Sequence, residues 1–141
     1  MPRHLPSTAL LLLLLAAACS QPSSREYFQR ADASGEYSFD ISMADSLAAY
    51  DLSFFTSIDK PLFRRDTLVS FPLQVVWRSP SGRYFSETVH YPARQSRCPY
   101  RSHVVPSELG SWNISVTLPS QPRRLRGLGI IVSGSQTGTQ R

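Results

Sequence analysis

Residues 69–91 read VSFPLQVVWRSPSGRYFSETVHY, and this stretch decides the fold of the chain. Apolar residues occupy every second position of its first part, and a period of two is typical of a strand with one buried face. These positions are Val69, Phe71, Leu73, Val75 and Trp77. Ser79-Pro80-Ser81-Gly82 then places proline at a favoured turn position, and the alternation resumes at Phe85, Val89 and Tyr91. Residues 69–91 are therefore predicted to form a β-hairpin.

The same period of two runs through most of the chain on either side of the hairpin. The alternating segments are Tyr37–Met43, Tyr50–Ile58, Trp112–Leu118 and the glycine-containing Gly127–Val132. No window beyond the N-terminal leader sustains helical spacing, and residues 44–49 allow one helical turn at most. Six or seven short strands joined by turns predict an all-β fold, an antiparallel β-sandwich of immunoglobulin-like or jelly-roll-like topology. Trp112 is expected to fill the layer between the two sheets.

The first nineteen residues have the organisation of a secretory leader. Arg3 precedes the apolar run Leu10–Leu15, and Ala16-Ala17-Ala18 leads directly to Cys19. This pattern predicts a bacterial lipoprotein signal over residues 1–18, whose cleavage leaves Cys19 as an N-terminus lipidated with fatty acyl chains such as palmitate. An ordinary secretory signal, cut after an A-x-A site, is the alternative. The apolar stretch is shorter than the ~20 residues that a membrane-spanning helix requires.

These signals divide the chain into four parts. Residues 1–18 are the signal helix, residues 19–34 a flexible, lipid-anchored tether, residues 35–132 the β-sandwich, and residues 133–141 a disordered tail. Cleavage would leave 123 of the 141 residues, which is enough for one domain that buries a core without metals or disulfides. The expected location is the bacterial cell envelope.

Charge is distributed unevenly along the chain. Acidic residues dominate between the leader and Asp59, and arginines dominate from Lys60 onward, while the whole chain carries a formal net charge of +5. A basic half fits an anionic partner, or basic strands that lie beside acidic strands in one sheet. Nucleic acid is not expected as a partner, because the leader directs the protein out of the cytoplasm.

The residues predict no catalytic or metal-binding chemistry. His90 and His103 are the histidines beyond the leader, and neither has the spacing to other ligand residues that a metal site requires. With Cys19 acylated, Cys98 has no partner in the chain and is expected to be a small buried residue. A Cys98 thiolate with His103 as its base is the one conceivable nucleophilic pair, and the surrounding sequence does not resemble a cysteine hydrolase. We therefore expect no enzyme activity, no metal and no cofactor.

A basic segment marked by Pro92 and Pro99 is the candidate surface for a partner or ligand. It is predicted to be a loop. Its candidate residues are Arg94, Arg97, Tyr100, Arg101 and His103. Arginine and tyrosine are enriched at protein interfaces, and guanidinium groups bind phosphates and carboxylates in bidentate fashion. The alternative is a solvated loop without a function.

Two tripeptides resemble the O-glycan acceptor motif of Bacteroidota periplasmic proteins, which has the form Asp-Ser/Thr-apolar. They are Asp45-Ser46-Leu47 and Asp66-Thr67-Leu68. Ser46 and Thr67 are therefore candidate glycan acceptors, although patterns of three residues also arise by chance.

The order of motifs from Tyr50 onward resembles the gliding-motility lipoprotein GldH family of Bacteroidota, over roughly residues 35–132. The motifs are Tyr50-Asp51-Leu52, Leu73–Trp77 with Ser79-Pro80-Ser81-Gly82-Arg83, Gly110-Ser111-Trp112, and Leu125-Arg126-Gly127-Leu128-Gly129-Ile130. The resemblance implies a non-catalytic accessory lipoprotein of the outer membrane, associated with gliding or a related secretion machinery. No acidic run follows Cys19, unlike the surface-export signals of that phylum, which favours the side facing the periplasm.

The expected function is that of an envelope lipoprotein held to the membrane by its N-terminal lipid, acting as an accessory component that binds other envelope proteins. The alternative is a ligand-binding module for glycan or anionic lipid that uses the basic segment 94–103. An aromatic side chain on the solvent face of a strand, such as Phe55, would support this alternative.

Overall fold

The computed structural model describes residues 23–59, 70–92 and 95–136, which form eight β-strands. The strands are β1 (Ser23–Arg30), β2 (Glu36–Met43), β3 (Ala48–Ile58), β4 (Phe71–Arg78), β5 (Tyr84–Tyr91), β6 (Arg97–Val104), β7 (Gly110–Thr117) and β8 (Leu125–Gln136). The segment between β2 and β3 is a turn rather than a helix.

Two four-stranded antiparallel sheets pack face to face, in the orders β1-β8-β3-β6 and β2-β7-β4-β5. Only β4 and β5 are neighbours both in sequence and in a sheet, because every other connection crosses from one sheet to the other. This double Greek-key order is that of a jelly roll. The prediction of an all-β antiparallel sandwich is confirmed. Of the two predicted topologies, immunoglobulin-like and jelly-roll-like, the strand order is that of the jelly roll.

The core consists of the residues that alternate toward the space between the sheets. On β2 and β4 the burial pattern alternates strictly, as the sequence period predicts. Phe54, Leu73, Ile114 and Ile130 come from both sheets and have no exposed surface. Trp112 is also buried in this layer, which confirms its predicted position. Hairpin formation by β4 and β5 is confirmed as well, with Trp77 opposite Phe85 and the turn closed between Ser79 and Arg83.

The prediction of a flexible tether over residues 19–34 is wrong for Ser23–Arg30, which forms strand β1. All eight of its residues pair with β8, from Ser23 opposite Gly134 to Arg30 opposite Gly127. An edge strand can be polar because its main chain supplies the pairing and only one face packs on the core, here through Tyr27. The described sandwich therefore begins at residue 23 rather than 35. It also continues beyond residue 132, since β8 extends to Gln136 through part of the predicted tail.

The glycines of β8 have a packing role on the outer face of the first sheet. Gly127 and Gly129 are buried there beneath the rings of Phe28 and Phe55, which stack with centroids 6.0 Å apart. A β-carbon at Gly129 would overlap the Phe55 ring, and one at Gly127 would overlap the Phe28 ring. Phe55 does lie on the outer face, where an aromatic side chain would support the ligand-binding alternative, but its ring covers Gly129 of the neighbouring strand β8.

The predicted basic loop is also corrected by the structure. Arg97–Val104 forms strand β6, which pairs with β3 alone and is therefore an edge of its sheet. Pro99 is compatible with this strand because an edge position does not require every backbone N–H for pairing.

Candidate functional site

The two sheets are joined by a polar cluster along the side of the sandwich where edge strands β5 and β6 face each other. Its central residue is Glu87, which shares the inward parity of Phe85 and Val89 and lies opposite the buried Val75. A carboxylate therefore enters the space between the sheets at their open edge. Charged residues that point inward on edge strands also oppose pairing with further strands.

Glu87 is held by two residues of the facing sheet. Arg101 donates hydrogen bonds of 2.7 Å to both of its carboxylate oxygens, and the Tyr100 hydroxyl donates to Oε1. The same hydroxyl accepts a 2.8 Å hydrogen bond from the Trp77 indole nitrogen. The Arg101 guanidinium also lies 5.4 Å from the centre of the Tyr100 ring, within the range of a cation–π contact. These four residues, Trp77, Glu87, Tyr100 and Arg101, are called the edge clamp below.

Irregularities in β6 allow two adjacent residues to reach one carboxylate. The register between β3 and β6 shifts on both sides of the pair Leu52–Arg101, so β6 bulges at Tyr100 and again near His103. His103 has a φ of 53°, and its backbone N–H donates a 2.8 Å hydrogen bond to the Asp51 side chain. Bulges redirect side chains at sheet edges. They explain why Tyr100 and Arg101 both turn toward Glu87 instead of alternating.

The clamp fixes the protonation states of its members. Burial raises the pKa of Glu87, but the hydrogen bonds from Arg101 and Tyr100 outweigh it, so the pKa of this carboxyl lies below its ordinary value. Burial, together with the hydrogen bond to Glu87, raises the pKa of Tyr100 to about 12. The carboxylate is therefore ionised and the phenol protonated across the neutral range, which suits a structural ion pair better than proton transfer.

An aromatic cleft opens beside the clamp, between β4, β5 and the segment that follows β6. Trp77 is at its centre, with the Phe85 ring stacked on it at 5.8 Å and the Trp112 ring edge-on at 6.0 Å. The cleft has a volume of about 220 Å³, and its remaining lining includes Met43 and Val105. Phe85 is 49% exposed, so the cleft presents an aromatic surface to solvent.

The residues of the predicted partner surface are placed in different settings. Tyr100 and Arg101 are brought together, but as members of the edge clamp. Arg97 lies opposite Phe55 on the outer face, and His103 is exposed at the bulge. Arg94 lies outside the described residues. The four residues that the structure describes do not lie on one common face.

The conceivable nucleophilic pair is not assembled. Cys98 and His103 lie on one strand five residues apart, which corresponds to about 15 Å along the chain. Cys98 is a free, buried cysteine, and burial raises the pKa of its thiol. Within residues 23–59, 70–92 and 95–136, no group of three or more histidine, cysteine or acidic side chains could hold a metal ion.

One candidate glycan acceptor can be located. Ser46 is exposed in the turn between β2 and β3, where the Asp45 carboxylate accepts a 2.9 Å hydrogen bond from the Leu47 N–H. This local bond gives the Asp45-Ser46-Leu47 tripeptide a role in the turn that does not depend on a glycan. Thr67 and the predicted lipidation site Cys19 lie outside the described residues.

Sequence reasoning missed the centre of the clamp and the aromatic cleft. Glu87 is assigned no role in the sequence analysis, although its position between Phe85 and Val89 gives it inward parity. That parity was the available signal. The partners of Glu87 could not be inferred, because the bulges that orient Tyr100 and Arg101 depend on pairing between β3 and β6, whose paired residues lie at least 42 positions apart in sequence.

No family model, curated protein or solved structure matches this chain. Among the residues that the structure describes, no helix is long and apolar enough to cross a membrane.

Proposed function

We propose that this protein is a non-catalytic lipoprotein of the bacterial envelope, held to the membrane by acylated Cys19, and that its aromatic cleft binds another envelope protein. In this proposal residues 1–18 are removed as a signal, and the outer membrane facing the periplasm is the site of action. The resemblance to the gliding-motility lipoprotein GldH family supports an accessory role in gliding or a related secretion machinery.

The observation that carries the binding role is the contrast between the clamp and the cleft. The ionisable groups of the clamp are engaged with one another, whereas Phe85 of the neighbouring cleft is about half exposed to solvent. Exposed aromatic rings in a concave setting are enriched at protein interfaces. The expected occupant is an apolar side chain of the partner, because all of the lining except Arg101 and Ser107 is apolar or aromatic, with Trp77, Phe85 and Trp112 as its rings.

The alternative, recognition of glycan or anionic lipid by the basic segment, has less support. Arg101 already uses its guanidinium for Glu87, and Arg97 lies on the other face of the strand from the clamp. Replacement of Arg97 and Arg101 by alanine tests this alternative. Because Arg101→Ala also breaks the clamp, the deciding variant is Arg97→Ala alone, which should lower binding of a glycan or an anionic lipid if the basic segment holds that ligand.

Site-specific photo-crosslinking in intact cells tests the proposal. A photoreactive amino acid at Ser107, an exposed residue of the cleft, should crosslink to one protein species, and the crosslink should be lost in Phe85→Ala. Val76→Ala is the matched control, because Val76 is an exposed apolar residue on the outer face of the neighbouring strand. A crosslink that survives Phe85→Ala, or one that forms equally at the exposed Thr88 of β5, would contradict binding in the cleft.

A further inference from the structure

Large apolar side chains that are exposed to solvent concentrate at one end of the sandwich. Seven such side chains occur among the described residues, and five of them lie at this end. We call these five the apolar tip: Leu47, Tyr84, Phe85, Val105 and Leu109. Of the other two, Val76 lies on the outer face of β4, and Phe28 lies toward the opposite end of β1.

Strand pairing places the apolar tip at a single end. Met43 pairs with Gly110 and Arg78 pairs with Tyr84, so the loops after β2, β4 and β6 leave the second sheet's end together. A 3.1 Å hydrogen bond from the Ser81 N–H to the Glu108 side chain ties two of these loops to each other. Tyr84 is 76% exposed, Leu47 63% and Val105 61%, so the loops present their apolar side chains outward.

Strand β1 begins at this same end. Ser23 pairs with Gly134, which pairs in turn with Tyr50, two residues after the start of β3. Three residues separate Cys19 from Ser23. Four extended residue steps span at most about 14 Å, so a lipid on Cys19 would hold this end of the sandwich close to the bilayer surface.

We infer that the apolar tip rests on the lipid bilayer, with the side chains of Leu47, Tyr84 and Leu109 at the boundary between headgroups and acyl chains. Phe85 and Val105, which the tip shares with the aromatic cleft, lie at headgroup level. This inference rests on the proposed lipid anchor and adds an orientation to it. An acylated Cys19 brings the tip to the bilayer whether or not the tip has affinity of its own, so the apolar side chains need to supply little binding energy. Tyrosine suits this position because its ring is apolar and its hydroxyl remains hydrated. The edges of the aromatic cleft would then lie at headgroup level, where a partner must itself be bound to the membrane.

The charges around the tip favour apolar contact over attraction to anionic lipid. Arg78 and Arg83 are exposed there, but Asp45 and Glu108 lie in the adjoining loops. Opposite charges in similar number give little net attraction to a negative surface. The orientation is therefore expected in zwitterionic vesicles as well as in vesicles that contain anionic lipid.

Depth-dependent fluorescence quenching tests the orientation in the full lipidated protein, reconstituted into phosphatidylcholine vesicles. Single cysteines at Leu47 and Leu109 carry a fluorophore, and lipids with a nitroxide near the headgroup act as the quencher. Ala33→Cys is the control, as an exposed position in the turn between β1 and β2, at the opposite end of the sandwich. Buried Cys98 should not react in the folded protein, which the unsubstituted protein verifies. Labels at Leu47 and Leu109 should be quenched at least about threefold more than the label at Ala33, since interfacial apolar side chains lie ~5–10 Å deep.

The mass of the same sample distinguishes a failure of the proposed orientation from a failure of the proposed lipid anchor. An acylated Cys19 with equal quenching at Leu47, Leu109 and Ala33 would overturn the orientation and leave the anchor intact. An unmodified Cys19 would overturn the anchor and the orientation together. A glycan on Ser46 of the native protein would also contradict the orientation, because Ser46 adjoins Leu47 and a bulky hydrophilic group would separate the tip from the bilayer.

Discussion

Arg101 donates hydrogen bonds of 2.7 Å to both carboxylate oxygens of Glu87, and this contact joins the edge strands of two different sheets. The two residues lie on β6 and β5, which are not paired with each other. Their ion pair therefore closes one side of the sandwich where no backbone ladder does. The aromatic cleft lies beside this ion pair and shares Trp77 with the edge clamp, so the ion pair helps to hold the cleft in place.

Glu87→Gln should destabilise the fold measurably, while Asp59→Asn should not. The glutamine cannot pair with the Arg101 charge and weakens the bond from Tyr100, which we expect to cost about 1 kcal/mol of unfolding free energy at this partly exposed site. Asp59 also pairs with an arginine, Arg126, but both side chains are more than half exposed, so the loss should be below ~0.5 kcal/mol. Urea denaturation of the three proteins measures the difference. Equal losses of unfolding free energy in the two variants would show that the Glu87–Arg101 ion pair contributes no more than an exposed surface pair.

Stability should fall in acid partly because of Glu87. Its pKa in the folded protein is lower than the ordinary value of 4.5, so its contribution is complete above that value and disappears as the pH falls through the folded pKa. The difference in unfolding free energy between the wild type and Glu87→Gln should therefore be full at pH 7 and should shrink as the pH falls below about 4.5. A constant difference between the two proteins across this range would contradict the assignment.

Tyr100 should give the opposite dependence in alkali. Its pKa is raised to about 12, so the bond network that it joins contributes fully below pH 10 and is lost as the pH rises toward 12. Tyr37 and Tyr91 also have raised pKa values and add to this loss. Tyr100→Phe should therefore show a smaller loss of stability between these pH values than the wild type. An unchanged alkaline profile would show that the hydroxyl makes no stabilising bond to Glu87.

Gly129→Ala should destabilise the first sheet. The new β-carbon would overlap the Phe55 ring, and displacement of the stacked Phe28–Phe55 pair should cost about 1–3 kcal/mol. Ser133→Ala is a matched control on the same face of β8, where a side chain is already accommodated, and its effect should stay within about 0.5 kcal/mol. Thermal unfolding followed by circular dichroism distinguishes them. A stable Gly129→Ala protein would mean that the two rings are not needed to cover the strand.

The residue pattern predicts the sandwich because burial follows a period of two in almost every strand. The alternation of β2, β4 and β7 is complete, and it determines which residues meet between the sheets. Strand β1 was not predicted because the contacts that order it are not local. Its polar sequence is held by backbone pairing to β8 and by the packing of Phe28 on Gly127. Neither contact has a signature in the local sequence.

The candidate site was predictable only in part. The sequence singled out Tyr100 and Arg101 for their chemistry, and both are members of the edge clamp that joins the sheets. It assigned them to a loop because Pro99 and the surrounding arginines disrupt the strand pattern, whereas an edge strand tolerates both. To predict Glu87 as their partner, one must know which edge strands of the two sheets face each other. This follows from the jelly-roll topology rather than from any single segment.

Mass spectrometry of the mature N-terminus, purified from detergent-solubilised envelope, tests the central claim most directly. The account predicts that the N-terminal peptide begins at Cys19 and carries fatty acyl chains, with residues 1–18 absent. A mature chain that begins elsewhere, or a Cys19 without acyl groups, would contradict it.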